Sequence, residues 1–360
     1  MTPAKTKLRT VALSKSYGPV VALVDANLEV REGEFVTLLG PSGSGKTTLL
    51  MMVAGLVLPT AGEVWIDDRL STYSPPHLRD IGMVFQNYAL FPHLSVYENI
   101  AFPLRMRRRP EAAIAKEVIA ILELIQLPDV ARRMPRELSG GQQQRIALAR
   151  CLVYSPSVVL MDEPLGALDK KLRDQMQLEI KLIQRRLGIT VLYVTHDQEE
   201  AMTMSDRICL MNQARIEQID TPEDLYFRPR TVFAADFLGD SNIFRGRIDG
   251  DGRLDGPGGL RVRGIATDAR SAGQAATAVV RPESVRLLEP AEAEAGEASG
   301  QVDSVVFVGG FARIFVRLAD GTLIQAKRLT HAAQRVPGIG DTVRLGWPAA
   351  ATVLLEDARP

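Results

Sequence analysis

The apolar residues of this chain change their period along its length. From Leu8 to about Val84 they come in short runs broken by turn residues, among them Phe35-Val36-Thr37-Leu38-Leu39 and Gly62-Glu63-Val64-Trp65-Ile66, which reads as strands and turns. From Tyr88 to Arg150 the spacing turns helical, as in Ile114, Val118, Ile121, Leu122 and Ile125. A second helical stripe, Leu172, Met176, Ile180, Ile183 and Leu187, leads into a strand over Thr190 to Val194. Strands and helices in alternation build a mainly parallel sheet, so the fold expected here is α/β.

Near Asp236 the character changes. Short β-branched runs at Arg245 to Ile248, Thr277 to Val280, Val302 to Val308, Ala312 to Leu318, Leu323 to Ala326 and Thr342 to Leu345 alternate with glycines and charged turns. Many short strands at such spacing suggest a small β-barrel, with the segment from Pro290 to Gly300 as a loop. Two domains are therefore expected, 1–236 and 237–360.

Three stretches carry chemistry. Gly40-Pro41-Ser42-Gly43-Ser44-Gly45-Lys46-Thr47 follows an apolar run and precedes Thr48 and a further apolar stretch, giving strand, glycine-rich turn and helix in succession. In such a turn the N–H groups from Ser42 through Gly43, Ser44, Gly45 and Thr48 can curl around phosphate oxygens, aided by the positive end of the helix. Lys46 can reach the outer phosphates and the Thr47 hydroxyl can ligate Mg²⁺. Next, Ser157 to Met161 is an apolar run ending in Asp162-Glu163, which reads as a buried strand opening onto the same crevice. Asp162 would hold Mg²⁺ through water, and Glu163 would act on the attacking water as general base or orienter. Between these lies Leu138-Ser139-Gly140-Gly141-Gln142, whose hydroxyl, amides and following helix make a second anion site. One nucleotide needs only one phosphate loop.

With Gln86 in Val84-Phe85-Gln86-Asn87-Tyr88 and His196 in Val194-Thr195-His196-Asp197, these motifs stand in the order of a known family. The chain resembles the ATP-hydrolysing subunits of ABC transporters over roughly residues 8 to 240. The resemblance implies a P-loop ATPase fold with an inserted helical subdomain at 88–150. It implies that Gln86 contacts Mg²⁺ and the attacking water, and that His196 touches the γ-phosphate and orients Glu163. It also implies that Tyr17 stacks on adenine and that Asp169, in Leu165 to Asp169, belongs to a loop carrying information between sites. Ser139 to Gln142 would cap the ATP held by a partner, so two ATP molecules lie between the two chains of a homodimer. Ala278 to Glu283 resembles the OB-like domain, called TOBE, of bacterial importer ATPases, where it can be regulatory.

Composition narrows the setting. Of 360 residues, 46% are hydrophobic and Lys plus Arg equals Asp plus Glu at 43 each, so nothing draws the whole chain toward nucleic acid or anionic lipid. The basic run Arg105 to Arg109, between Pro103 and Pro110, reads as a solvated loop. Two cysteines among apolar neighbours suit buried thiols, the N-terminal stretch with Lys5, Lys7 and Arg9 does not read as a secretory signal, and no apolar run reaches the length expected of a membrane-spanning helix. The resemblance then implies a peripheral protein on the cytoplasmic face of the bacterial inner membrane, with two separate permease subunits and, indirectly, an external solute-binding protein. The apolar stretch Tyr88 to Leu94 would receive the permease, and changing Leu90 or Phe91 to a charged residue would uncouple transport. Wording at Pro76 to Met83 and Asp169 to Met176 is similar to polyamine importer ATPases, with ferric iron, sugar or phosphonate importers as alternatives. A soluble ATPase acting on ribosomes or DNA is the rival, disfavoured because one cassette is present and no long coiled coil fits between Thr47 and Leu138.

Overall fold

The computed structural model describes residues 5–166, 168–256, 260–266, 272–289, 291–331 and 336–356. The chain forms two compact units, Met1–Pro222 and Glu223–Pro360. This division falls ahead of the change in sequence character near Asp236. The reason lies in Ala235, which packs with Val279, Val353 and Leu355, and in Arg281, which donates to the carbonyls of Tyr226 and Ala235.

The first unit holds two sheets. A four-stranded sheet has the order β2-β1-β4-β5, from β1 (Thr6–Tyr17), β2 (Val20–Arg31), β4 (Ala61–Ile66) and β5 (Arg69–Leu70). A six-stranded sheet has the order β10-β9-β3-β8-β7-β6, from β3 (Phe35–Leu39), β6 (Ile81–Val84), β7 (Val158–Asp162), β8 (Thr190–Thr195), β9 (Arg207–Asn212) and β10 (Arg215–Asp220). Strands β6, β7, β8, β3 and β9 run parallel, and only β10 is antiparallel to its neighbour.

The two faces of that sheet are read from alternate residues. Val159 and Met161 of β7 join a core with Phe35, Val191 and Tyr193 that extends into α2 (Val96–Met106), α3 (Glu111–Leu124) and α4 (Gly140–Leu152). Val158 and Leu160 face the other way, toward α1 (Lys46–Ala54) and the four-stranded sheet. Burial on both faces is why these strands are continuous apolar runs rather than alternating ones. α5 (Lys170–Leu187) and α6 (Gln198–Met204) follow, while α7 (Pro222–Phe227) belongs to the second unit from Glu223 onward.

One sequence expectation shifts here. Pro103 lies inside α2, so Arg105 is helical and pairs with Glu98 and Glu111 rather than sitting in a loop. Arg105 lies between Glu98 of the same helix and Glu111 at the start of α3, so two carboxylates meet its charge. Exposure of Arg105 to Arg109 is as expected.

The second unit contains α8 (Val232–Phe237) and two sheets. One has the order β13-β12-β11-β15-β21-β14, from β11 (Asn242–Ile248), β12 (Leu254–Asp255), β13 (Arg261–Val262), β14 (Ile265–Ala266), β15 (Ala275–Val280) and β21 (Thr352–Glu356). The other has the order β16-β20-β17-β18-β19, from β16 (Arg286–Leu287), β17 (Gly296–Phe307), β18 (Phe311–Leu318), β19 (Leu323–Leu329) and β20 (Thr342–Trp347). They are antiparallel apart from the β14–β21 pair and enclose one core containing Phe244, Ile314 and Trp347.

The loop expected from Pro290 to Gly300 is corrected. Pro290 lies outside the described residues, and from Gly296 onward the chain is strand, pairing Gly296 with Trp347 and Gly300 with Leu318. Its glycines mark close approach rather than a turn: a Cβ at Gly296 would lie 2.3 Å from Nε1 of the Trp347 indole.

Cys151 and Cys209 are both buried and unpaired, and burial pushes each thiol up to about 12. Among the described residues no helix is long and apolar enough to cross a membrane.

Candidate functional site

Four neighbouring parallel strands, β3, β8, β7 and β6, end at one side of the six-stranded sheet, and every one of these ends delivers expected site residues. The phosphate loop follows β3, Gln86 follows β6, Asp162 and Glu163 close β7, and His196 follows β8. The carboxyl ends of parallel strands are where such sheets place ligands.

The loop after β3 has backbone that side chains would obstruct. Gly40 (φ 157) and Gly45 (φ 100) are in conformations that favour glycine. A Cβ at Gly40 would lie 2.2 Å from the Met211 carbonyl oxygen, and one at Gly45 would lie 2.6 Å from that of Ala22. The second contact also sets the β1–β2 hairpin, whose end carries the half-exposed Tyr17, beside the loop. Lys15 Nζ lies 4.9 Å from the centre of the Tyr17 ring.

Lys46 opens α1 and donates to the carbonyls of Gly40 at 2.8 Å and Pro41 at 2.9 Å. Burial pulls its ammonium below the ordinary value, opposed by the charges of Glu163 and Asp162. Burial likewise raises Asp162, with the neighbouring Glu163 charge adding to it. Both shifts mark the same situation: charges held out of water by the fold and only partly offset by one another. Ser44 Oγ is buried without a hydrogen-bond partner, a donor inside the cradle with capacity to spare.

Thr47 Oγ1 lies 3.4 Å from Asp162 Oδ1. Among the described residues no group of three or more His, Cys, Asp or Glu could hold a metal. One hydroxyl beside one carboxylate is the sparse protein set that suits a cation sharing its remaining positions with phosphate and water.

Glu163 adopts a left-handed conformation (φ 43), and its N–H donates to the Val194 carbonyl at 3.0 Å. That turns its carboxylate toward His196, whose Nδ1 lies 3.2 Å from Glu163 Oε1. Gln86 is exposed in a turn, and its Nε2 would be 3.9 Å from a Cβ on Gly166, in the loop after Glu163.

Ser139 is the N-cap of α4. Its Oγ accepts from Gln142 N at 3.4 Å while Gln142 Oε1 accepts from Ser139 N at 3.0 Å, a reciprocal capping box. Gly140 and Gly141 lie against Leu168 and Leu172. Among the described residues no hydrogen bond joins 139–142 to the phosphate loop of the same chain. Asp169 is the N-cap of α5, its Oδ1 accepting from Leu172 N at 3.0 Å. Phe91, in the apolar stretch after Gln86, packs on Phe102 at 4.7 Å between ring centres, and Arg150 of α4 holds the carbonyls of Tyr88 and Ala89.

Sequence reasoning passed over the residues around His196. Asp197 caps α6 and pairs with Arg173, while Glu200 is buried and accepts from Tyr193 and Thr195 hydroxyls. The signal was present as Asp197 followed three residues later by Glu200, a helix-start pattern.

Comparison with known proteins agrees with this geometry. A family model described as "ABC transporter" matches residues 23–166, and one described as "TOBE domain" matches 278–355. The spermidine/putrescine import ATP-binding protein PotA of Rubrobacter xylanophilus is 44% identical over 99% of this chain and 95% of its own length. The protein of the same name from Thermobifida fusca is 47% identical over 93% and 90%. The putrescine transport ATP-binding protein PotG of Escherichia coli is 44% identical over 95% and 93%. Among solved structures, the dimeric bacterial ABC transporter cassette MJ0796 matches with a TM-score of 0.54 and 35% identity, covering 60% of this chain and 98% of that one. The same cassette has been solved in a post-hydrolysis state bound to ADP and Pi, again with a TM-score of 0.54.

Proposed function

We infer from the family to which this chain belongs, the ATP-binding subunits of ABC transporters, that it is the homodimeric motor of a polyamine importer. The polyamine assignment is supported by relatives named for spermidine and putrescine over nearly the whole chain. The ferric iron, sugar and phosphonate alternatives, and a soluble role on ribosomes or nucleic acid, have no comparable support. Its place is peripheral, on the cytoplasmic face of the membrane, bound to two permease chains and through them to an external solute-binding protein.

One observation carries the dimer. Ser139 stands exposed at the start of α4, and its anion-binding backbone is not spent on its own phosphate loop. A second copy supplies what that site lacks, so each ATP lies between the phosphate loop of one chain and Ser139 to Gln142 of the other.

In this reading Ser42 to Thr48 grip the phosphates, with the spare Ser44 hydroxyl facing them, and Tyr17 stacks on adenine. Thr47, Asp162 and Gln86 would hold Mg²⁺, which when bound neutralises phosphate charge. Glu163 takes or orients the proton of the attacking water, and His196 fixes Glu163 while contacting the γ-phosphate. Asp169 connects the two sites. Closure around ATP and release after hydrolysis then drive the permease by a hinge-type change.

The experiment has two parts. ATPase activity per mole of chain is measured against chain concentration; a rise supports the shared site, and a constant rate at all concentrations refutes it. Uptake of labelled putrescine and spermidine is compared in cells with and without this chain beside its permease. Unchanged polyamine uptake, with loss of uptake of another solute, would overturn the assignment.

A further inference from the structure

Arg173 lies in the first turn of α5, four residues beyond the Asp169 cap, and its guanidinium reaches across to two other segments. Nη2 donates to the Leu168 carbonyl at 3.0 Å, immediately before Asp169. Nη1 donates to Asp197 Oδ2 at 3.1 Å, immediately after His196. Nε forms an ion pair with Glu200 Oε1 at 3.8 Å but is too far for a hydrogen bond and is buried without one.

The far side of this arrangement is equally fixed. Asp197 Oδ1 accepts from the N–H groups of Glu199 at 2.8 Å and Glu200 at 3.2 Å. Thr195 Oγ1 accepts from Asp197 N at 3.0 Å and donates to Glu200 Oε2 at 2.7 Å. His196 is thus flanked by two residues that are pinned, while its own side chain is 61% exposed and its position is not set by burial.

We propose that Arg173 is a positioning residue for hydrolysis, tying Leu168, in the loop just before the Asp169 cap, to the backbone that aims His196 at Glu163. The planar guanidinium suits this because one group can bond a carbonyl and a carboxylate in fixed relative directions, which a lysine ammonium on a flexible stem does not. A shift of the loop is carried through Leu168 O and Asp197 to His196. Among the described residues no hydrogen bond or ion pair joins Arg173 to the nucleotide-gripping groups Lys46 and Thr47, so binding is left alone.

This rests on the ATPase reading above. The test uses the full chain with MgATP and the variants Arg173→Met, Arg173→Lys, Asp197→Asn and the double Arg173→Met/Asp197→Asn. Arg173→Met is expected to lower kcat about tenfold with KM for ATP within about twofold, since misplacement of a catalytic group costs rate rather than binding. Arg173→Lys should recover part of the loss. The double variant should be no slower than the worse single one, because both changes cut the same link. A kcat for Arg173→Met within about twofold of the unaltered protein overturns the proposal, as do single losses that multiply in the double variant. If the unaltered chain itself hydrolyses no ATP, it is the ATPase reading that fails.

Discussion

His196 Nδ1 lies 3.2 Å from Glu163 Oε1, so side chains from the ends of two adjacent parallel strands meet where the phosphate loop opens. In the proposed reading Glu163 is the member of the pair that takes or orients the proton of water. Glu163→Gln keeps the shape and a hydrogen-bond acceptor but removes the base. Hydrolysis is expected to fall by about 10²- to 10⁴-fold while ATP binding persists, read by phosphate release and by nucleotide retention on the trapped dimer. Near-normal turnover would remove Glu163 from the chemistry.

Ser139→Ala separates two roles of one hydroxyl. As a helix cap its loss costs about 1 kcal/mol of stability. As a donor to a partner's nucleotide, its loss lowers hydrolysis by about a hundredfold with ATP binding to the single chain retained. A variant whose rate falls no further than its melting curve explains would leave Ser139 a cap alone.

Asp162 exchanges stability for chemistry. Burial and the Glu163 charge raise its folded value above the ordinary 3.8, so ionising it costs the folded state more than the unfolded one. Stability associated with its protonated form is present at low pH and is lost as pH rises through the raised value. Asp162→Asn is therefore expected to raise the melting temperature of the nucleotide-free protein at pH 8, with the gain shrinking as pH falls toward the ordinary carboxylate range. The same change should abolish Mg²⁺-dependent hydrolysis. Differential scanning fluorimetry across pH checks it, and a lower melting temperature at pH 8 would contradict the sign.

In the second unit, Gly296→Ala drives a methyl into the Trp347 indole, which is buried and stacked on Phe244. A rigid ring in a filled core cannot yield as a flexible side chain would. Destabilisation of about 1–3 kcal/mol is expected, followed through Trp347 fluorescence in denaturant. No loss would mean that β17 and β20 separate at little cost.

How much of this was legible in the sequence depended on distance along the chain. The phosphate loop, Asp162-Glu163 and the apolar strands were readable because each motif carries its own chemistry and the strand it follows lies beside it in sequence. Helices α3 and α5 were readable from their apolar spacing. Gly296 and Gly300 misled, since local composition says turn and the Trp347 and Leu318 that make them strand lie far ahead in the chain. Pro103 misled for another reason, since a proline reads as a boundary while α2 runs past it to Met106. The Arg173, Asp197 and Glu200 set was invisible as a unit, for only folding brings α5 against α6.

The two native thiols have a practical side. With Cys151 and Cys209 enclosed and burial pushing both thiols up, thiol-directed reagents such as maleimides find no exposed thiolate on the folded chain. A single cysteine placed on an outward-facing helix start becomes the sole attachment point for a dye or spin label. Opening and closing of the motor can then be followed by distance measurements on an otherwise wild-type background.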